Sequence, residues 1–234
     1  MRSILSLLLI LCGCAAVKDA PEPLQASVVF PEPTQPLVIP EGKDGEWSFD
    51  ELLRECGRVT SQSFVFTDET LRLLRRTKVP ALYMSEIPAE SVHSVVESLL
   101  LDNGFLLTLP LPSDPSVVSV RSSYTSAKND IRTNATYVPV DELDRWSQHS
   151  AYLIHTALYL DTIDVRTLTN SMRVLITDAN LQSFVPAGST NSVLLTGTAP
   201  QVIRLVRMLQ EIDESERARF ERLAKSKDED AGGN

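Results

Sequence analysis

Few side chains in this sequence could bind a metal or attack a substrate. The cysteines and histidines are Cys12, Cys14, Cys56, His93, His149 and His155. No two histidines lie two to four residues apart, the spacing at which one element presents paired ligands to a metal. The sequence also lacks a glycine-rich phosphate loop and a G-x-S-x-G nucleophile turn. We therefore expect a non-catalytic protein with no metal or cofactor site.

Cys56 shares the apolar face of a predicted helix with Leu52, Leu53 and Val59. Neither a helix start nor a cluster of basic side chains lies beside it to activate the thiol. We expect Cys56 to be a core residue. Because it is the single cysteine outside the N-terminal stretch, no internal disulfide is expected there.

The chemistry that the sequence does suggest is lipid attachment at Cys14. Residues 1–13 read as a signal peptide, in which Arg2 precedes the apolar run Ile4–Leu11. That run is far shorter than the about 20 residues that span a bilayer as a helix. The following Leu11-Cys12-Gly13-Cys14 resembles a bacterial lipobox, which implies cleavage before Cys14 and its acylation. Ala15 after the cysteine favours the outer membrane, facing the periplasm; the alternative is a plain signal peptide cut near Ala15 or Ala16.

Composition fits a folded, acidic protein of one or two small domains. The chain has 234 residues, 43% of them hydrophobic, and a formal net charge of −9. Removing 13 residues from 234 would leave 221, and losing Arg2 would take the charge to −10. Phosphate backbones are bound by clustered lysine and arginine, so this balance argues against nucleic acid as a partner.

Residues 14–46 are predicted to be a lipid anchor and a proline-rich linker. Six prolines fall within twenty residues: Pro21, Pro23, Pro31, Pro33, Pro36 and Pro40. Proline fixes φ and removes a backbone donor, which favours an extended, semi-rigid chain. Gln25–Phe30 or Leu37–Ile39 could each add an edge strand to the domain that follows.

Periodicity predicts a first α+β module over 47–122. Ser48 and Glu51 are spaced as a capping box for the first helix. Strands are expected at Ser63–Thr67, Val79–Met84, Phe105–Leu109 and Val117–Val120, and helices from Asp68 and Pro88. Pro80 marks Val79–Met84 as an edge strand. Residues 123–149 are predicted to be a polar linker, with one strand at Thr136–Val140.

A second module is predicted over 150–213 with the order βαββα. Its strands are Ala151–Leu160, Ser183–Pro186 and Ser192–Thr196, and its helices are Thr162–Ile176 and the segment after Gly197. The fold class is therefore α+β, with two small two-layer sandwiches in which helices cover one sheet face. Residues 214–234 form a charged tail, predicted to extend the last helix into solvent.

The run from Asn191 to Asp213 resembles the second half of a secretin N-domain, a βαββα module with a KH-like order. It reads as a strand N-x-[LV]-[ILV]-[ILV]-x-G, then a helix ending in [ILV]-x-x-[ILV]-D. Phe49–Val120 is similar to the short domain that precedes such repeats. Secretins continue into a long β-rich pore region, which this sequence lacks after Asp213, so the resemblance implies the ring or docking part without the channel.

The resemblance implies protein partners in a secretion or type IV pilus machine: a secretin, or further copies of this chain in a ring. Neighbouring N-domains associate side by side, and open strand edges offer unpaired backbone groups. The expected contact residues are Thr190, Ser192, Leu194, Arg204, Arg207 and Glu211. One alternative is a lipoprotein that binds peptidoglycan, polysaccharide or a peptide, and another is the N-domain half of a split secretin.

Overall fold

The computed structural model describes residues 30–39, 47–80, 84, 86–111, 117–125 and 131–231. Cys14 and most of the proline-rich linker lie outside these residues. The strands are β1 (Leu37–Val38), β2 (Ser63–Val65), β3 (Glu86–Ile87), β4 (Phe105–Leu111), β5 (Val117–Ser122), β6 (Thr136–Tyr137), β7 (Leu153–Tyr159), β8 (Ser183–Ala187) and β9 (Ser192–Thr198). The helices are α1 (Phe49–Thr60), α2 (Asp68–Arg76), α3 (Val92–Asp102), α4 (Val165–Met172) and α5 (Ala199–Ala231).

Helix α1 begins at the capping box that the sequence predicts. The Ser48 hydroxyl accepts a hydrogen bond from the Glu51 amide at 3.3 Å, and the Glu51 carboxylate accepts one from the Ser48 amide at 2.9 Å. Helix α3 ends at Asp102, just before the expected Asn103-Gly104 pair, and the φ of Gly104, 73°, is in the left-handed region that glycine adopts without steric cost. Local capping signals therefore set both helix ends.

Two small sheets flank the helices of the first half. Strand β5 lies between β2, to which it is parallel, and β4, to which it is antiparallel. Helices α1 and α3 pack against each other, and α1 also contacts β1 and β2.

The edge strand expected at Val79–Met84 is not formed at the positions described there, and β3 at Glu86–Ile87 pairs instead with β1. Pro80 has no N–H to donate to a ladder, which agrees with the lack of strand pairing at the described positions Val79, Pro80 and Met84. The pairing of Leu37–Val38 confirms that the proline-rich stretch contributes a strand to the fold.

The second half confirms the predicted βαββα order and adds one strand to it. Its sheet has the order β6-β7-β9-β8, with β7, β9 and β8 antiparallel and β6 parallel to β7. Helices α4 and α5 cover one face of this sheet, where Leu158, Val193, Leu195 and Val206 are buried. A mixed α/β architecture of small sheets and covering helices results.

The stretch predicted to be a polar linker carries buried side chains. Residues 131–149 supply β6 and a 3₁₀ helix over Val140–Trp146, and Trp146 is only 2% exposed. The Leu107 amide of β4 donates a hydrogen bond to the Ala151 carbonyl at 2.9 Å. One hydrophobic core therefore runs through both halves, from Phe49 to Leu209.

Helix α5 continues well past Asp213, as the tail prediction expected, and reaches Ala231. Most of its described side chains beyond Asp213 are exposed, including Phe220 and Leu223. Within the described part of the chain, no helix has the length and apolar character needed to cross a membrane.

Candidate docking surfaces

The groups that could do chemistry are dispersed or enclosed. Cys56 lies in the core, as predicted, and burial together with the charge of Glu97 raises the pKa of its thiol to about 12. A thiol in that state is a poor nucleophile. Among the residues that the structure describes, no group of three or more His, Cys, Asp or Glu side chains is arranged to hold a metal ion.

A buried hydrogen bond between a carboxyl group and an imidazole joins the two halves of the fold. Glu97 of α3 is 2% exposed, and its Oε1 lies 2.8 Å from Nδ1 of His149. Its other oxygen accepts a hydrogen bond from the Ala151 amide at 3.3 Å. A buried carboxylate needs such partners because its desolvation is costly. The pair therefore fixes α3 against the chain that leads into β7.

Sequence reasoning does not find this pair. Polar composition predicts a linker around His149, yet His149 is 7% exposed because Phe30 stacks on its ring at a centroid distance of 3.6 Å. Glu97 does leave a signal, since it is the one charged residue within the apolar run 95–101 of a helix. A single acidic residue on the apolar face of a helix indicates that its carboxylate has a buried partner, but the spacing of residues does not identify that partner.

Residues 30–39 form a strap across the junction of the two halves. Beyond the Phe30 stack, Nε2 of His93 lies 2.9 Å from the Pro31 carbonyl oxygen. Both the amide and the hydroxyl of Thr34 donate hydrogen bonds to the Val59 carbonyl. His93 is therefore half-buried under the strap.

The face of the second sheet opposite its helices, which we call the open sheet face, carries exposed apolar side chains. Strand register aligns Ala157, Leu194 and Val185 in one row across β7, β9 and β8. Tyr159 on β7 and Tyr137 on β6 are also exposed. Apolar side chains that follow one another across a sheet face are typical of a contact surface.

One end of the open sheet face is covered by the protein itself. Ile131 and Ala135 pack there on Leu153 of β7. His155 lies at the border, and burial holds the pKa of its imidazole below the usual value, although a backbone hydrogen bond with Ala135 opposes the shift. The exposed part of this face therefore extends from Tyr137, beside His155, to the end near Tyr159.

The helix side of the second half carries a groove between α4, β8 and α5. Its volume is about 280 Å³, and its walls include Met172, Leu175, Phe184, Arg204 and Leu205. We call it the α4–α5 groove. Leu175 is 47% exposed at its mouth, so this side of the module also offers apolar surface.

The six predicted contact residues are divided between these two sides. Ser192 and Leu194 lie on the open sheet face of β9, and Thr190 is exposed in the loop before it. The others, Arg204, Arg207 and Glu211, are exposed on α5. The structure therefore does not bring the six together.

Strand β9 is also not an edge, because β7 and β8 pair with it on either side. The idea that a partner adds a strand there is wrong. Any contact at β9 must use side chains.

Asp213 ties α5 to the loop after β7. Its carboxylate accepts hydrogen bonds from the amides of Asp161, Thr162 and Ile163 at 3.0, 2.8 and 2.9 Å. Burial of Asp213 would raise the pKa of its carboxyl, but these amides, together with Arg217, hold the pKa below its usual value. The acid at the end of the predicted helix pattern is thus an anchor for α5.

Comparison with known proteins supports the fold. No protein-family model matches the sequence, and no curated protein matches it significantly. A similar structure occurs in the Klebsiella pneumoniae type II secretion system outer membrane complex of PulD, PulS and the PulC HR domain. There the identity is 14% and the TM-score 0.55 over 74% of this chain. This chain covers 26% of that one.

Two further matches have lower TM-scores. The GspC–GspD complex of enterotoxigenic Escherichia coli is 15% identical at a TM-score of 0.26, over 71% of this chain and 93% of the other. The N-terminal domain of the secretin XcpQ from Pseudomonas aeruginosa is 11% identical at a TM-score of 0.24, over 71% and 62%. The match to the Klebsiella complex confirms the predicted α+β fold resembling secretin N-terminal domains.

Proposed function

We propose that this protein is a non-catalytic, lipid-anchored periplasmic scaffold of a secretin-based secretion or type IV pilus system. It would dock through its second half to a secretin or to further copies of itself. The observation that carries the proposal is a secretin N-domain-like fold with apolar surface on two opposite sides of one module. The fold alone does not specify a function, so the argument rests on these surfaces.

The two surfaces differ from each other, and this matters for the kind of assembly. An interface between two different patches is heterologous, and repetition of such an interface closes a ring or extends a filament. The open sheet face presents Leu194 and Tyr159 as protruding side chains, whereas the α4–α5 groove is concave. We infer that the open sheet face of one copy packs on the α4–α5 groove of the next.

Charge substitutions on the two surfaces test this arrangement. Leu194→Glu or Leu175→Glu alone should convert assemblies to monomers, measured by size exclusion with light scattering on the chain beginning at Ala15. Each variant keeps one intact surface, so an equimolar mixture should form a heterodimer and no larger ring. Ser94→Glu, at an exposed position of α3, is the matched control and should leave assembly unchanged.

If the unsubstituted chain stays a strict monomer, alone and with a secretin periplasmic fragment, the docking proposal fails. Retention on murein sacculi in place of the secretin fragment would support the alternative of a peptidoglycan-binding lipoprotein. The mixing experiment separates a heterologous interface from an isologous one, because with an isologous interface one variant would still dimerise alone and the two variants would not form a heterodimer.

The lipid anchor is tested by Cys14→Ser. Diacylated cysteine gives stable membrane attachment, whereas a hydroxyl at this position cannot form the thioether. We expect the variant to lose the mass of its acyl chains and to leave the membrane fraction. Cys12→Ser is the control and should still be acylated. Persistent fractionation of Cys14→Ser with membranes and an unchanged lipid mass would contradict the anchor.

A further inference from the structure

We propose that the first half binds an extended acidic peptide in a groove between α1, α2 and β2, which we call the α1–α2 groove. The occupant would be a segment of another protein in which an apolar side chain is followed by Asp or Glu. This inference concerns a different module from the docking surfaces above. It does not depend on assembly into a ring.

Three elements turn one face each toward this groove. Its volume is about 390 Å³. On α1 the lining residues follow the spacing i, i+3, i+4 and i+7, and on α2 they are four residues apart. Along β2 and the residues on either side of it, every second residue lines the groove. The lining residues are Asp50, Leu53, Arg54, Gly57, Leu71, Arg75, Gln62, Phe64 and Phe66. These are the periods at which helices and strands present one face, so the lining is a product of regular structure.

The floor of the α1–α2 groove is apolar. Phe64 and Phe66 are half-buried, and Leu53 lies in the core beneath them. Gly57 allows α1 to come close to β2 here, since a Cβ at this position would lie 2.8 Å from the Gln62 carbonyl oxygen. Partly exposed aromatic rings in a concavity are suited to an apolar side chain of a partner.

The rim of the groove has an excess of positive charge. Nη2 of Arg54 and Nε of Arg75 lie 3.1 and 3.3 Å from the same oxygen of Asp50. Among the described residues, no other carboxylate is within ion-pair distance of either guanidinium. The Arg54 and Arg75 side chains are 72% and 63% exposed, whereas that of Asp50 is 13% exposed.

Two guanidinium groups therefore share one carboxylate, and most of their N–H donors face solvent. Each guanidinium carries five N–H donors, and it binds carboxylates with short, charge-assisted hydrogen bonds. A second carboxylate placed between Arg54 and Arg75 would balance the charge of the rim. An acidic side chain just after the apolar one in the partner would reach this position.

The edge of the sheet favours an extended partner. Strand β2 pairs with β5 on one side, and in the described part of the chain no strand pairs with its other side. An edge of this kind can accept a further strand through backbone hydrogen bonds. Together, the edge, the aromatic floor and the arginine rim select an extended acidic peptide.

Fluorescence anisotropy with a labelled peptide tests the proposal. The probe is a nonapeptide of alternating valine and serine followed by two aspartates, and its twin carries two asparagines. The full chain, purified in detergent, should bind the aspartate peptide at least about tenfold more tightly than its twin, because charge-assisted bonds are roughly twice as strong as neutral ones. Raising the salt concentration should weaken the binding.

The variants Arg54→Gln and Arg75→Gln should each weaken binding of the aspartate peptide, and the double variant by at least about tenfold. Arg76→Gln is the matched control on the adjacent, exposed face of α2. Thermal unfolding followed by circular dichroism should be the same for the three single variants as for the unsubstituted chain, because Asp50 keeps at least one guanidinium partner in each of them.

Several outcomes would overturn the proposal: equal affinity for the two peptides, an unchanged affinity of the double variant, or no saturable binding of the aspartate peptide. Displacement of the peptide by inorganic phosphate or by anionic lipid vesicles at lower concentrations would also overturn it, since the rim would then be a general anion site. Preference for the aspartate peptide together with weaker binding by the double variant supports it.

Discussion

Replacing Glu97 by alanine should lower the free energy of unfolding by about 2–5 kcal/mol, because two buried polar groups each lose an acceptor. The substitution leaves Nδ1 of His149 and the amide of Ala151 without their acceptor in the core, and it opens a void beside them. An uncompensated buried polar group costs more than the intact pair contributes. Urea unfolding followed by circular dichroism measures the loss as a shift of the midpoint.

The matched control is Glu90→Ala, which changes an exposed acid at the start of the same helical segment. It should change stability by less than about 0.5 kcal/mol. A double-mutant cycle between Glu97→Ala and His149→Ala should give a coupling energy above about 1 kcal/mol, because the residues are in direct contact. Additive effects, or a loss below about 1 kcal/mol for Glu97→Ala, would show that the pair does not join the halves.

Asp213→Asn should destabilise the protein by about 2–3 kcal/mol, the range for hydrogen bonds to a charged group. Asparagine keeps one acceptor oxygen but presents an NH₂ group where the carboxylate receives three backbone amides. Glu214→Gln, at the exposed neighbouring position, removes the same charge without touching those amides. It should leave the unfolding midpoint unchanged.

The same carboxylate should make stability depend on pH in the acid range. Its pKa is lowered in the folded protein from a value of 3.8, so the unfolded state binds a proton more readily. The stabilising effect is therefore fully present above about pH 4 to 5 and is lost as pH falls through the lower, folded-state pKa. In Asp213→Asn this part of the acid dependence should vanish. An identical acid profile in the two proteins would contradict the role assigned to Asp213.

Local features of the fold were predictable from the sequence because they depend on neighbours in the chain. Helix α2 begins at Asp68, as predicted, and the Ser48 capping box forms as expected. Both follow from side chains that contact backbone groups three residues away. The βαββα order of the second half was likewise readable from its apolar periods.

Features that depend on distant contacts were not predictable in this way. Polar composition suggested a linker around Trp146 and His149, yet burial there is decided by Phe30, which is more than a hundred residues away in sequence. The pairing of β3 with β1 requires Leu37–Val38 of the proline-rich segment to lie beside Glu86–Ile87, which are far from them in sequence. The spacing of apolar residues along the chain predicts neither the burial of Trp146 and His149 nor the pairing of β3 with β1.

For the candidate docking residues, too, local properties were predictable from the sequence and tertiary contacts were not. The family resemblance indicated Leu194, Arg204 and Arg207 as contact residues, and all three are exposed in the structure. The resemblance did not show that β9 lies inside its sheet, nor that Arg207 reaches Asp144 of the 3₁₀ helix at 2.7 Å. Strand order depends on contacts between distant parts of the chain. The six predicted contact residues therefore belong to two separate surfaces, the open sheet face and the exposed side of α5.

The strap also determines how the protein responds to tension. A force that pulls on the chain at Phe30 acts first on the stack with His149, then on the Pro31–His93 bond, then on Thr34, and last on the β1–β3 ladder. Because these interactions follow one another along the chain, we expect such a force to break them in sequence. Because the Phe30 stack breaks first, the Glu97–His149 pair is uncovered early, which couples pulling at this end of the chain to the joint between its two halves.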